Sequence, residues 1–551
     1  MLLATLMLLQ ANQTADLIVE NGRIWTDGHL TKFTSLAVKD GKFEAIGKNL
    51  SPYDGPSTKH INAHGNWIVP GMIDSHTHIA EECVSFVSSL DLHSAKSKKD
   101  FIQLVRDQTA KLAPKQWILG SGWSADSYPD KEVPSKEWID PVTSDHPSML
   151  TRMDGHSALL NSAALLAAGI TKDGPPDPAG GRIERDPTTH EPTGIIAEGA
   201  LRLVHPPFPD VATTDAALMA TIAEAHRYGV TSSADIVNIF AVGTWQRYMK
   251  RPDRNFRVAL YLRASTPQSV EAVAALPGIE GWMEPHGVKL FMDGSLGSRT
   301  AYMAKPFTTP LPSQPKDWRG LPRPGAADGT YKKIIAAAAK SNIQVITHAI
   351  GDQANHDILD LYAEIPDIKD RRFRVEHAQH LETQDIPRFS QLGVIASMQP
   401  FHKADDGRYA EKVIGMERCK SSYAFRDILK SGGILAFGSD FDVVTINPWV
   451  GIETAVTGRI STGKSWMTHE NITLDQALDA YTRKAAYSMF MENEIGRIAP
   501  GYHADFVILD RRLKTDGSNV GSTRPAFVFM EGKELAVDKL APQGRVSAGS
   551  Y

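Results

Sequence analysis

The chain has 551 residues and a formal net charge of -5, which leaves room for a large barrel or several domains and no basic field for nucleic acid or an anionic membrane. Its two cysteines, Cys83 and Cys419, stand far apart and in no metal-binding spacing. That argues against a disulfide framework and leaves any metal to histidine, carboxylate or a less usual ligand.

At the N-terminus, MLLATLMLL is an apolar run of signal-peptide length, followed by a polar, small-residue stretch over 10–15. No basic residue precedes it, and it is too short to span a bilayer. Two readings stand for residues 1–15. A signal peptide would export the mature chain, for example to a periplasm; an apolar end packed on the protein would leave it cytoplasmic. No other run reaches transmembrane length, so no membrane span is expected.

Next come DLIVENGRIWT, TSLAVKDGKFEAIG and HGNWIVPG, which alternate apolar and polar residues around the turn pairs Asn21-Gly22 and Asp40-Gly41. This pattern predicts short strands. It returns near the C-terminus in IGRIAPGYHADFVILD and PAFVFMEGKEL, so a small β-sandwich over 16–69 and 496–545 is expected from both ends. Between them, strand-like and helix-like segments alternate, as in βα units with a parallel sheet. Eight strands are predicted at 68–78, 229–236, 256–263, 287–293, 343–348, 373–377, 394–399 and 434–440. Helices are predicted at 215–228, 331–341 and 473–492. The fold class is therefore α/β, a distorted (β/α)8 TIM barrel over 70–495. A long excess after the first barrel strand, about 94–210, reads as an insertion or lid.

The chemistry concentrates at strand ends. His76 and His78 close the first strand; residues two apart on a strand share a side and stand about 6.6 Å apart, within reach of one metal. Alone the pair means little, because 19 His in 551 residues give about 0.7 such pairs by chance. Four further strand ends carry Lys289, His348, His377 and Asp440, and barrel active sites are built at such ends. Imidazoles and carboxylates suit zinc and similar divalent ions, whose open position lets bound water ionise near neutral pH. Asp440 would take the proton of the attacking hydroxide and return it to a leaving nitrogen. Lys289 is the odd member. Beside divalent ions an ammonium meets repulsion of roughly 4 kcal/mol per unit-charge pair at 4 Å and a dielectric of 20. It must lose its proton, stay away as an ion pair, or add carbon dioxide to become an anionic carbamate able to bridge two metals.

Several residues are less determined. Asp293 and Arg299, after the fourth strand, would meet a substrate carbonyl or carboxylate, or simply shape a glycine-rich loop. Asp154 and His156 would reach over the pocket from the insertion, or cap the helix that follows. His402, after the seventh strand, would hold substrate. Glu376 points to the opposite strand face from His377 and reads as an ion-pair partner; His380 and Asp352 have no assigned role.

The pattern His76-x-His78, Lys289, His348, His377 and Asp440 resembles the amidohydrolase superfamily in its binuclear, carboxylated-lysine subtype. KLFMDGSLGSRTA, MDGHSALLNS, THAIGD and VEHAQ resemble its amidohydrolase-3 branch, which includes N-substituted formamide deformylases and carries a long insertion after the first strand. The resemblance implies His76, His78, His348 and His377 as metal ligands, a carbamylated Lys289 as bridge, and Asp440 as general acid–base that also contacts metal. It implies two zinc ions, with manganese or iron as substitutes, a small-molecule substrate and a homodimer. The expected activity is that of a metal-dependent amidohydrolase acting on C–N bonds other than peptide bonds, in an amide, formamide, carbamate or cyclic amide. A deaminase or a lactone or ester hydrolase would use the same site, as would a mononuclear enzyme with unmodified Lys289.

Overall fold

The computed structural model describes residues 14–125, 128–152, 157–178, 181–311 and 314–536. Most of the expected leader (1–13), the end of the expected sandwich (537–545) and the pair Asp154 and His156 lie outside the described residues.

Two sheets pack face to face, the first built from N-terminal strands alone and the second from strands of both chain ends. One has the strand order Lys42–Gly47, Ser35–Lys39, Leu17–Glu20, Lys59–Asn62; the other runs Lys533–Glu534, Pro525–Met530, Phe506–Leu509, Trp67–Pro70, Arg23–Thr26, His29–Leu30. Leu17, Val19, Val38, Ile68, Phe506 and Phe529 fill the space between them, and the Phe506 and Phe529 rings stack at 4.4 Å. Asp40 and Gly41 both have positive φ (48° and 77°), and Lys39 pairs with Lys42. This is the two-residue hairpin the Asp-Gly pair predicts. Asn21-Gly22 does something else. It is a corner between sheets, because Leu17–Glu20 and Arg23–Thr26 belong to different ones. A Cβ on Gly22 would lie 2.3 Å from Ile68 Cδ1, so only glycine lets the corner close on the core.

The barrel strands are β1 (Met72–Thr77), β2 (Val230–Val237), β3 (Arg257–Arg263), β4 (Met283–Phe291), β5 (Gln344–Ala349), β6 (Arg374–His377), β7 (Ile395–Met398) and β8 (Ile434–Phe437). They pair in parallel and in chain order from β1 to β8. The expected strand 68–78 is in fact two. Trp67–Pro70 pairs with Phe506–Leu509 in the sandwich, whereas Met72–Thr77 enters the barrel. Gly71 between them packs so tightly that a Cβ would sit 2.3 Å from Thr231 Oγ1. The edges β1 and β8 meet through hydrogen bonds from Asp440 N to His76 O (2.8 Å) and from His78 N to Phe441 O (2.7 Å).

Helices pack outside. Val211–Arg227 starts where the Asp210 carboxylate accepts the Thr213 amide at 2.7 Å. The predicted helix 473–492 is broken into Leu474–Ala480 and Arg483–Ser488. The break exposes the Tyr481 carbonyl to the Ile73 amide at 2.8 Å, which ties it to the base of β1. The insertion holds a six-stranded sheet between Leu90–Asp91 and Gly181–Arg185. Its own apolar core gathers Phe101, Val105, Trp123, Trp138 and Leu150.

Because Phe506 is fully buried against both Phe43 and Phe529, Phe506→Ala is expected to destabilise the protein by about 3–5 kcal/mol. Thermal or denaturant unfolding of the purified variant checks this. A shift below 1 kcal/mol would mean that strand contributes little.

Candidate metal centre

Six side chains from five strand ends meet at one end of the barrel. His76 is fully buried, with Nε2 3.3 Å from Asp440 Oδ1 and 3.4 Å from Lys289 Nζ. His78 Nε2 also lies 3.3 Å from Asp440 Oδ1. The His377 ring is 4.9 Å from that of His76 and 4.4 Å from that of His348. Two tight groups result, His76–His78–Asp440 and His377–His402–Asp440, each with donor atoms within 4.8 Å of one another. His348 flanks the second. Lys289, 1% exposed, stands beside the first.

Backbone conformation aims two of these groups. His377 and Asp440 have φ of 73° and 61°, a region non-glycine residues seldom adopt. Simple strand alternation sets Glu376 and His377 on opposite faces. In the structure the left-handed turn at His377 brings its ring inward as well, so neighbouring residues both serve the centre.

The imidazoles are oriented from behind. His76 Nδ1 meets Glu376 Oε2 at 2.5 Å, leaving Nε2 for the centre. His78 Nδ1 is 3.1 Å from the Ile236 carbonyl, and His348 Nε2 is 3.1 Å from the Gly294 carbonyl. Such hydrogen bonds fix the tautomer and aim the opposite nitrogen. Burial lowers the pKa of His76 and His377, keeping them neutral, the form that offers a lone pair to a metal, and lowers that of His402 as well. Burial also lowers Lys289 to about 8, so free amine is present near neutral pH. The buried His377 Nδ1 has no hydrogen-bond partner among the described residues. Convergent imidazoles around a shared carboxylate, His377 among them with an unpartnered nitrogen, fit a divalent metal ion.

Glu376 is more than the ion-pair partner its position suggested. Its other oxygen accepts Arg374 Nε at 2.7 Å, and both side chains are fully buried. Burial would raise the Glu376 carboxyl, but Arg374 and His76 outweigh it and hold the group well below the usual carboxylate range.

The side chains of Asp293 and Arg299 are taken up by the protein's own backbone. Asp293 accepts the amides of Tyr302 (2.8 Å), Ile350 (3.0 Å) and Gly351 (2.8 Å). It also lies 3.3 Å from His348 Nε2. The Arg299 guanidinium is folded onto the carbonyls of Thr309, Leu296 and Gly297. Both shape the loop after β4, because its backbone polar groups need partners more than a ligand does. His380 binds Ser422 Oγ at 2.7 Å, and Asp352 accepts the Ala304 amide at 2.6 Å; both are structural bonds. His402 does reach the site. Its Nε2 lies 3.8 Å from Asp440 Oδ2.

Three groups escaped the sequence reading. Asp235, at the end of β2, accepts Thr77 Oγ1, the Ile79 and Ala80 amides and Trp245 Nε1 at 2.5–3.1 Å, fixing the turn that carries His78. Its place at a strand end was the available signal. Asp74, raised by burial to about 7, holds Ser439 from β1 through its amide and hydroxyl at 2.9 and 2.6 Å. Gln379 contacts His402 Nδ1 at 3.3 Å; neither of these two carried a recognisable motif.

A cavity of about 360 Å³ opens on the centre, lined by His348, His377, His402, Asp440 and the apolar side chains of Leu296, Ile350, Tyr409, Val443 and Val444. Asp406 holds this wall in place by accepting the hydroxyls of Tyr409 and Tyr423, both at 2.6 Å.

Comparison with known proteins agrees with this architecture. The profile of a family described as "Amidohydrolase family" matches residues 59–536. The chain is 35% identical to the Arabidopsis thaliana protein LONG AFTER FAR-RED 3, covering 95% of this chain and 92% of that one. It is 24% identical to an N-substituted formamide deformylase of Arthrobacter pascens, covering 91% and 94%. A solved metal-dependent hydrolase of unassigned reaction from Pyrococcus horikoshii superposes with a TM-score of 0.73 at 25% identity, covering 91% and 99%.

Glu376→Ala strands a buried Arg374 charge and is expected to destabilise the fold by about 3–5 kcal/mol. Glu376→Gln keeps the shape but loses the charge behind His76, and should weaken metal affinity about 10–100-fold. Unfolding curves and metal competition titrations check the two effects; unchanged affinity in Glu376→Gln would remove its orienting role.

Proposed function

The chain belongs to the amidohydrolase family of metal-dependent hydrolases, and from that premise we propose that it cleaves the C–N bond of an amide carrying an apolar substituent, an N-substituted formamide being the leading candidate. The observation that carries this reading is the meeting of His76, His78, Lys289, His348, His377 and Asp440 beside one largely apolar cavity.

The four histidines, Lys289 and Asp440 would hold two divalent ions, zinc in the first instance and manganese or iron as substitutes. When bound, such ions supply Lewis acidity toward the substrate carbonyl and lower the pKa of water. Lys289 joins this set as a carbamate. Its free amine adds to the carbon of carbon dioxide, forming an N–C bond as one C=O π pair moves onto oxygen and one proton is released, so the neutral amine becomes an anionic carbamate. Asp440 is the proton carrier. Its carboxylate takes a proton from the attacking water and delivers it to the leaving nitrogen, which departs poorly without it. Orientation toward His76 and His78 keeps the carboxylate at the reacting end of the cavity.

Leu296, Ile350, Val443 and Val444 line the cavity and bind an apolar group by removing it from water. The name of the Arthrobacter relative, a deformylase of N-substituted formamides, is consistent with a small acyl part and a larger amine part.

The test is a panel of N-benzyl and N-hexyl formamides, acetamides and carbamates, with cyclic amides, lactones and amino-substituted rings, on zinc- or manganese-loaded protein. Formate plus amine from the formamides is the expected outcome; release of ammonia or of an alcohol alone would replace this reading by a deaminase or a lactonase. Elemental analysis should give two metal ions per chain, and one would exclude the bridged pair. Asp440→Asn should lower kcat by about 10²–10⁴-fold. Full activity in a metal-replete variant would refute the proton carrier.

A further inference from the structure

His402 lies on the helix Pro400–Asp406 directly after β7, with 9% of its surface exposed. Its two ring nitrogens have different surroundings. Nδ1 is 3.3 Å from Gln379 Nε2. A primary-amide nitrogen can only donate, so Nδ1 is the acceptor and the proton of the neutral ring sits on Nε2. That Nε2–H is buried and has no hydrogen-bond partner among the described residues. It stands 3.8 Å from Asp440 Oδ2, beyond hydrogen-bond reach. A protonated ring nitrogen has no lone pair for a metal, so this tautomer takes no ligand role even though His402 groups with His377 and Asp440.

A buried donor left open at the wall of a reactive cavity calls for an acceptor supplied by the ligand. We infer that His402 Nε2–H donates to the carbonyl oxygen of the scissile amide as that oxygen gathers negative charge, and that Gln379 is the positioning residue that fixes the required tautomer. The inference rests on the amide-hydrolysis reading above and assigns the part of the site that reading leaves empty. An oxyanion accepts more strongly than a neutral carbonyl, so a donor fixed in advance favours the transition state over bound substrate. The His402 and His377 rings lie nearly parallel, 6.1 Å apart with 5° between their planes.

The experiment uses metal-loaded wild type, His402→Ala, His402→Gln and Gln379→Glu. Turnover is measured with N-benzylformamide, metal content by elemental analysis, and binding by calorimetry with benzyl(methyl)phosphinate, a tetrahedral anion, against N-benzylacetamide. His402→Ala is expected to lose about 100-fold in kcat with little change in KM and with full metal content. It should lose about 30-fold or more in phosphinate affinity while binding the amide nearly as before. His402→Gln, which retains an N–H donor, should recover part of the loss. Gln379→Glu should reproduce it, because a carboxylate accepts from Nδ1 and takes the proton away from Nε2. Loss of a metal ion in His402→Ala would make the residue a ligand and overturn the inference, and equal weakening of phosphinate and amide would reduce it to packing. Wild type that turns over no amide yet binds phosphinate through His402 would sink the hydrolysis reading and leave the donor assignment standing.

Discussion

The centre depends on a charge that would be ruinous if left alone, the Glu376 carboxylate inside the barrel. It is fully buried, and it survives there because Arg374 meets one oxygen and His76 the other. Arg374 in turn donates to the Ser75 carbonyl at 2.5 Å and to Ser397 Oγ at 3.2 Å, so one guanidinium ties β1, β6 and β7 together. Breaking a buried pair by removing one partner costs far more than the pair contributes. Apolar side chains of similar volume would fill the same space without difficulty, but nothing would then set the His76 ring. The ion pair is better understood as orienting the site than as stabilising the fold.

The same economy governs the closing seam. β1 and β8 are the far ends of the sheet in chain order, and their meeting brings the first histidines to Asp440. Asp74 reaches across to Ser439, while the Asp440 amide bonds the His76 carbonyl. A Cβ on Gly438 would sit 2.7 Å from Asp74 Oδ1, so the seam needs a residue with no side chain there. Left-handed backbone at Asp440 and His377 costs of order 1–3 kcal/mol each. It is tolerated because the surrounding bonds leave no relaxed alternative, and it brings a carboxylate and an imidazole into the cavity from strands that would otherwise point them elsewhere.

Much of this was legible in the sequence, and for a definite reason. Strands buried on both faces are written as apolar, β-branched runs, so each of the eight could be marked, and their polar last residues advertised the site. What alternation could not convey was backbone sign. His377 and Glu376 read as opposed neighbours because the pattern assumes extended backbone, and a single positive φ undoes it. Boundaries failed similarly at Gly71, where an unbroken apolar run serves two sheets. Asp293 and Arg299 looked available because a sequence displays charges but not the backbone amides and carbonyls that claim them. Gln379 was invisible; a glutamine that sets a histidine tautomer has no spacing rule.

These observations divide the barrel mouth into two parts. β1, β4, β5, β6 and β8 carry the groups that would hold metal, braced from behind by Glu376, Asp235 and Asp293. The apolar wall and His402 come instead from the segments after β4, β5, β7 and β8, and the stretch after β7 is bonded to the loop after β4 through Thr308 N to Val413 O (2.9 Å) and Arg418 Nη1 to Lys305 O (3.0 Å). Asp406, raised by burial to about 6, takes the hydroxyls of Tyr409 and Tyr423 and ties the helix that presents His402 to the turn that carries Tyr409. In this architecture the converging side chains sit on strand ends, whereas the apolar wall of the cavity is spread over four loops distant from one another in sequence.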